Sequence, residues 1–373
     1  MSYKIGGTIM TKELLKIELR KLLSRKSIIA TFLLVVFINL TYFYFFDYKW
    51  NDVYVTSGDG KSVVAVEGKK SIEIKKKIGN FFSGEINSKS VKEMEKEITK
   101  ISNEYIGYNE DQKILLLNKF KNQIALIKKY NEKDGGMLNG IKMGYCEGEE
   151  KFVTSFSNTM ALSLGLLLIV GVANIYNEEK KSKMMYIIGC TENGRTKLTI
   201  AKLGATSIYC ASLYIILFVL NLLLYGMIYG FKGLDCHIQS SLIFTNSIYN
   251  ITYGRLLIIM FIIGIISCIA MGIVVLIISA TLKNSVAVTL MSILIYYFPV
   301  FFDMSSVCPI IEKILELMPI YMINIKDICV SNTLYFNQNI HMQIGGFLGL
   351  IICILGWGFL YKYMQKNKVW DNK

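Results

Sequence analysis

The chain is short of the residues that break helices and of those that carry catalysis. Of its 373 residues, 3 are proline and 2 are histidine. So few prolines let long helices run unbroken. There is no HExxH, no CxxC pair and no GxSxG, so a zinc-hydrolase helix, a paired-thiol metal site and a nucleophile elbow all lack their local signatures. Both histidines, His237 and His341, lie between apolar stretches and read as solvated or interfacial side chains. Charge is scarce too: 18% of residues are charged, against about a quarter in soluble domains.

That scarcity is concentrated. Asp, Glu, Lys and Arg are missing from residues 27–46, 152–177, 203–231, 256–282, 284–302 and 342–361. Each window offers the ~20 residues that cross ~30 Å of hydrocarbon at 1.5 Å per residue. Lipid cannot hydrogen-bond a backbone, so a crossing segment is a helix or part of a closed barrel. Barrel strands are ~10 residues long and alternate in polarity; these windows are longer and apolar all round. The expected fold class is an all-α polytopic membrane protein with six transmembrane helices. Residues 39–46, NLTYFYFF, offer no small-residue cleavage site, so the first window reads as a retained span rather than a signal peptide.

The windows divide the chain. Residues 1–26 form an N-terminal segment, 47–151 a large insert, 178–202 a loop, 232–255 and 303–341 two further loops, and 362–373 a tail. The net charge is +13. Most of the excess lysine and arginine lies in 1–26, 178–202, position 283 and 362–373. The positive-inside rule then places those pieces, and both termini, in the cytoplasm of a cell-membrane protein. The basic balance is therefore a topology signal and gives no ground for a nucleic-acid partner. A basic inner face also suits anionic headgroups of the lipid bilayer. In residues 11–26, TKELLKIELRKLLSRK, leucines and isoleucines are interleaved with Lys and Arg, the pattern of an amphipathic helix lying in the interface.

The insert reads as mainly helical with a small β-hairpin. Residues 52–56 and 63–67 are short β-rich runs around SGDGKS, a turn sequence. Apolar residues recur at helical spacing over 91–105 and again over 117–127. Gly60-Lys61-Ser62 resembles the end of a phosphate loop, but Val55 stands where that loop needs glycine. Cys146, Cys236, Cys308 and Cys329 fall on the outer side. Cys308 with Cys329, in one loop, is the first pair to test for a disulfide. Thiol labelling is expected to reach Cys146 from outside and Cys190 only after permeabilisation. No catalytic cluster and no cofactor site emerges. The windows hold no ionisable residue of the kind ion-coupled carriers use at membrane depth. If the chain moves a substrate, the energy comes from another subunit.

The informative stretch follows the second window. Glu178 and Glu179 open the loop. Residues 184–188, with Met184, Met185 and Ile187, suit a short amphipathic helix that Gly189 stops. Gly194 and Arg195 suit a turn, and Lys197 and Lys202 lead back to the membrane. This layout resembles the membrane-spanning permease subunits of ABC transporters of the ABC-2 type, by topology over the whole chain and by motif over 177–203. In that family an interfacial helix precedes six spans, and an acidic residue, a coupling helix, a turn and a lysine follow the second. Lys180, Lys181 and Lys183 depart from the pattern, standing where many relatives carry a Gly–Thr pair. The resemblance implies a non-catalytic subunit, usually of an exporter, whose residues 178–197 receive a separate cytoplasmic ATPase. A second permease chain, identical or not, would complete the pathway. It also implies that 307–320 forms a re-entrant helix. The competing reading is a sensor or immunity protein that binds a peptide through the insert and transports nothing.

Overall fold

The computed structural model describes residues 2–56, 63–81, 83–85, 96, 142–191, 194–241, 243–244, 247, 249–301, 315, 317–330 and 340–366. These are mostly helical. Helix α1, Ser2–Leu23, is followed by α2, Lys26–Tyr42, which continues as a π-helical turn, Phe43–Lys49. The hairpin of β1, Asp52–Thr56, and β2, Val63–Glu67, is antiparallel, with Asp52 opposite Glu67 and Thr56 opposite Val63. Helix α3, Lys69–Phe81, was not anticipated, although Ile72 and Ser71 form a buried side against the hairpin. A two-residue strand β3, Gly84–Glu85, pairs with β4, Lys142–Met143. The helical patterns expected over 91–105 and 117–127 lie outside the described residues, as does the SGDGKS turn.

The remaining helices are α4, Glu147–Val172; α5, Ile175–Lys181; α6, Met184–Gly189; α7, Gly194–Tyr229; α8, Tyr253–Thr281; α9, Ser285–Phe301; α10, Pro319–Ile323; α11, Ile325–Val330; and α12, Ile340–Gln365. Among the described residues, five stretches are long and apolar enough to cross a membrane: Lys26–Lys49, Glu147–Lys181, Gly194–Tyr229, Tyr253–Thr281 and Ile344–Gln365. The fifth window, 284–302, forms α9, whose 17 residues span only about 25 Å at the helical rise. Of the six long helices expected, five are present among the described residues. Of the region expected to be re-entrant, 307–320, residues 307–314 and 316 lie outside the described residues, and its last two residues, Pro319 and Ile320, begin α10.

What the apolar helices turn outward marks a multi-pass membrane protein. Leu33, Phe37 and Leu40 of α2, Val286, Leu290 and Leu294 of α9, and Phe347, Ile354 and Leu355 of α12 are all exposed. An apolar surface of this extent is stable against hydrocarbon and unstable against water. Inside, rings dominate. Phe152 and Phe156 of α4 each lie 5.3 Å from Phe218 of α7, centroid to centroid. Two buried tyrosines satisfy their hydroxyls on helix carbonyls: Tyr214 donates to Met260 O at 2.8 Å and Tyr296 to Ala161 O at 2.6 Å. Close approach is bought with small residues. A Cβ on Gly264 would lie 2.1 Å from the Tyr214 ring, and one on Gly165 2.1 Å from the Tyr296 ring.

The second crossing is interrupted between α4 and α5. A break frees backbone carbonyls, which must find partners inside a membrane. Arg25 Nη1 donates to Gly171 O at 3.1 Å, and Ser279 Oγ to Ala173 O at 2.7 Å. The break is thus sealed by the link between α1 and α2 on one side and by α8 on the other.

Candidate functional site

Three elements converge where α5 leaves the bundle. Helix α1 packs on α7, at a point where a Cβ on Gly204 would lie 2.9 Å from Leu15 Cδ1. That contact turns Glu18 and Leu22 inward, while Ile17, Leu23 and the basic Lys12, Lys16 and Arg20 stay exposed. A helix with a carboxylate inward and apolar side chains outward fits lipid or its headgroups better than water. Sequence placed this helix over 11–26; it covers Ser2–Leu23, and Lys26 already belongs to α2.

The inward carboxylate meets a buried ammonium. Lys202 of α7 is 1% exposed. Its Nζ donates to Glu18 Oε2 at 3.1 Å, to Glu179 Oε1 at 2.9 Å and to Ile175 O at 3.4 Å. It also sits 5.1 Å from the centre of the Tyr176 ring, within cation–π range. Lys21 closes the circuit, 2.8 Å from Glu18 Oε1 and 3.3 Å from Glu179 Oε1. Two carboxylates and two ammoniums balance, as a buried ionic group requires. Beside them Arg25 Nη2 reaches Glu178 Oε2 at 2.7 Å. The start of the chain, the end of the second crossing and the start of the third are therefore locked together.

Burial pushes the Glu18 carboxyl up, but Lys202 and then Lys21 outweigh it and hold the group below its ordinary 4.5. Burial pushes Lys21 down, but Glu18 and then Glu179 outweigh it and hold the ammonium above its ordinary 10.5. A lowered carboxyl stabilises the fold fully above pH 4.5, and that stabilisation is lost as pH falls through the folded value. A raised ammonium stabilises it fully below 10.5, and that stabilisation is lost as pH rises through the folded value. The stability difference between the native chain and Glu18→Gln should hold steady between these limits and shrink below pH 4.5. Unfolding in mixed micelles across pH measures it; a constant difference down to pH 3 would contradict the assignment.

Past the lock the chain leaves the bundle. Lys180 Nζ donates to Ser279, Ala280 and Leu282 carbonyls at 2.9, 2.7 and 2.9 Å, satisfying the C-terminal end of α8, where a helix leaves carbonyls unpaired. Lys183 has φ +57°, a left-handed conformation that glycine adopts more readily. Two lysines of this loop thus carry specific tasks: Lys180 caps α8 and Lys183 turns the chain into α6. Helix α6 is two-sided. Met185 is 1% exposed and faces the bundle, whereas Met184 and Ile187 are 52% and 70% exposed. Three residues apart, the latter pair share one face.

The residues singled out from sequence separate into three groups. Glu179 and Met185 are buried and hold α5 and α6 in place. Glu178, Met184 and Ile187 face outward. Gly194 and Arg195 form no free-standing turn; they open α7 itself. A Cβ on Gly194 would lie 2.3 Å from Ile188 O, so glycine is needed for α7 to start directly against α6. Arg195 and Lys197 are half-buried in the first turns of that helix. Glu18, Lys21 and Arg25 were missed as site residues, because nothing local marks a partner more than 150 positions away. Cys308 lies outside the described residues, and Cys329 is a buried free thiol on α11.

A second polar cluster ties the opposite ends of the same helices. Asp47 Oδ2 accepts from Tyr225 at 2.5 Å and from Ser155 at 2.7 Å. Lys151 Nζ donates to Asp47 O at 2.8 Å and to Tyr229 Oη at 3.2 Å. Glu149 Oε1 accepts from Gly233 N at 2.8 Å. Among the described residues no group of His, Cys, Asp and Glu is arranged to hold a metal ion. Compared with protein-family models and with curated proteins, the chain matches none.

Proposed function

We propose that this chain is the membrane-spanning subunit of an ATP-driven transporter of the ABC-2 type, an exporter, with its ATPase on a separate cytoplasmic polypeptide. In this reading α9 belongs to the remaining crossing of six. Both termini and α6 lie in the cytoplasm, the 47–151 insert lies outside the cell, and a second permease chain completes the pathway. The observation that carries the reading is the pairing of an exposed apolar face, Met184 and Ile187, with a rigid mount. A short helix with an outward face is useful for transmission only if it cannot move alone. Here Met185 seats α6 on the bundle and Gly194 abuts its end. The Lys202–Glu179 contact fixes the preceding α5 to α7.

The mechanism follows from that mount. A soluble ATPase that closes on ATP would push α6 through Met184 and Ile187. The push would enter α5 and α7 together, because Glu179 and Lys202 are joined, and would reach α1 through Glu18. Two spans and the N-terminal helix would tilt as one body, and a bundle of such bodies can alternate its opening between the two sides. This chain would supply no hydrolytic group. Purification from native membranes should recover a cassette ATPase at near-equal amounts with the chain. Recovery of the chain alone, with peptide binding by the insert, would favour the sensor reading.

A further inference from the structure

Cys146 and Cys236 are about ninety positions apart, with nothing in the sequence between them to suggest a pair. In the structure the segments that carry them run side by side. His237 N donates to Lys142 O at 3.0 Å, and Lys142 N donates to His237 Nδ1 at 3.1 Å. A Cβ on Gly144 would lie 2.8 Å from Cys236 Sγ, and one on Gly233 would lie 2.7 Å from Cys146 Cα. Cys236 N also donates to Gly233 O at 3.0 Å. Each cysteine therefore packs on the backbone beside the other, and glycine on both segments lets them approach. The two side chains are buried, 5% and 8% exposed, and both are free thiols in this structure.

We propose that Cys146 and Cys236 form a disulfide that staples the start of α4 to the segment between α7 and α8. The proposal rests on the reading that this face is extracytoplasmic, where such bonds persist. The oxidant is a disulfide of the thiol-oxidoreductase class. One cysteine thiolate attacks a sulfur of that disulfide, forming a mixed disulfide and releasing one oxidant thiolate. The second cysteine thiolate attacks the first cysteine's sulfur and expels the other. One S–S bond forms and one breaks; two electrons pass to the oxidant, whose sulfurs take up the two protons. Burial raises the Cys236 thiol to about 11, and burial also pushes the Cys146 thiol well up. A folded, closed pair therefore holds little of the attacking thiolate. Oxidation belongs to folding, before the two segments close, and the same burial then shields the finished bond from reductant.

The test quenches cells with N-ethylmaleimide, purifies the full-length chain and maps its peptides without reduction. The expected result is a Cys146–Cys236 linked peptide that disappears on reduction. In Cys146→Ser, Cys236 should then take up maleimide after denaturation alone. Recovery of both native cysteines as maleimide adducts would overturn the proposal. Orientation is read separately on Lys232→Cys, an exposed position of the same segment, with a membrane-impermeant maleimide on intact cells. Label gained over the parent chain, with both native thiols free, sinks the disulfide alone. No label gained sinks the topology on which the transporter reading stands.

Discussion

Replacing Lys202 with methionine should destabilise the detergent-solubilised chain by about 3–5 kcal/mol, the loss that follows when one partner of a buried ion pair is removed. Methionine keeps roughly the volume and removes the charge. Glu18 and Glu179 would then share Lys21 alone, and half of that residue's side chain faces solvent. Glu179 Oε2 already lacks a partner among the described residues, so the cluster has nothing to spare. A second variant separates charge from packing. Lys202→Met combined with Glu179→Gln restores neutrality and leaves Glu18 paired with Lys21. It should be more stable than Lys202→Met alone. If the two losses simply add, the residues are not coupled and the lock is not electrostatic.

The second large effect concerns docking. Met184→Ala with Ile187→Ala should weaken binding of the ATPase roughly 100-fold, since two such side chains buried in a partner together contribute about 3 kcal/mol. Both are exposed in the isolated chain, so its own stability should move by less than about 0.5 kcal/mol. Met185→Ala is the contrasting change. That side chain is buried, and its truncation should cost about 2–5 kcal/mol of stability. Titration of the purified ATPase onto the chain in nanodiscs, beside unfolding of each variant, distinguishes the two faces of α6. Equal binding by the native chain and the Met184/Ile187 double variant would remove α6 as the docking element.

The helices that cross oil were legible because hydrocarbon imposes one strong rule, the exclusion of charge over about twenty residues. Their true ends were not, because a helix continues past the lipid wherever its backbone finds partners. Thus α7 begins at Gly194 rather than near 203, and α4 at Glu147 rather than near 152. The short α6 was readable from an apolar run closed by Gly189. Which of its residues faced outward was not, since Met184 and Met185 are equivalent until packing selects one. The lock was half visible: Glu179 stood out by type and place, but Glu18 reads as one more polar residue on an amphipathic helix. Only the approach of α1 to α7, through Gly204, turns it inward to Lys202. The thiols expected on the outer side show the same limit. Cys146 was expected to accept label from outside, yet it is buried against Gly233, so Lys232→Cys is the better reporter.

The central claim is that α6 lies in the cytoplasm as a partner's seat, and Cys190 reports on it directly. This native thiol is exposed one residue beyond α6. An impermeant maleimide should leave it unmodified in intact cells, modify it in inside-out vesicles, and lose access when the ATPase is bound. Modification of Cys190 in intact cells would contradict the account.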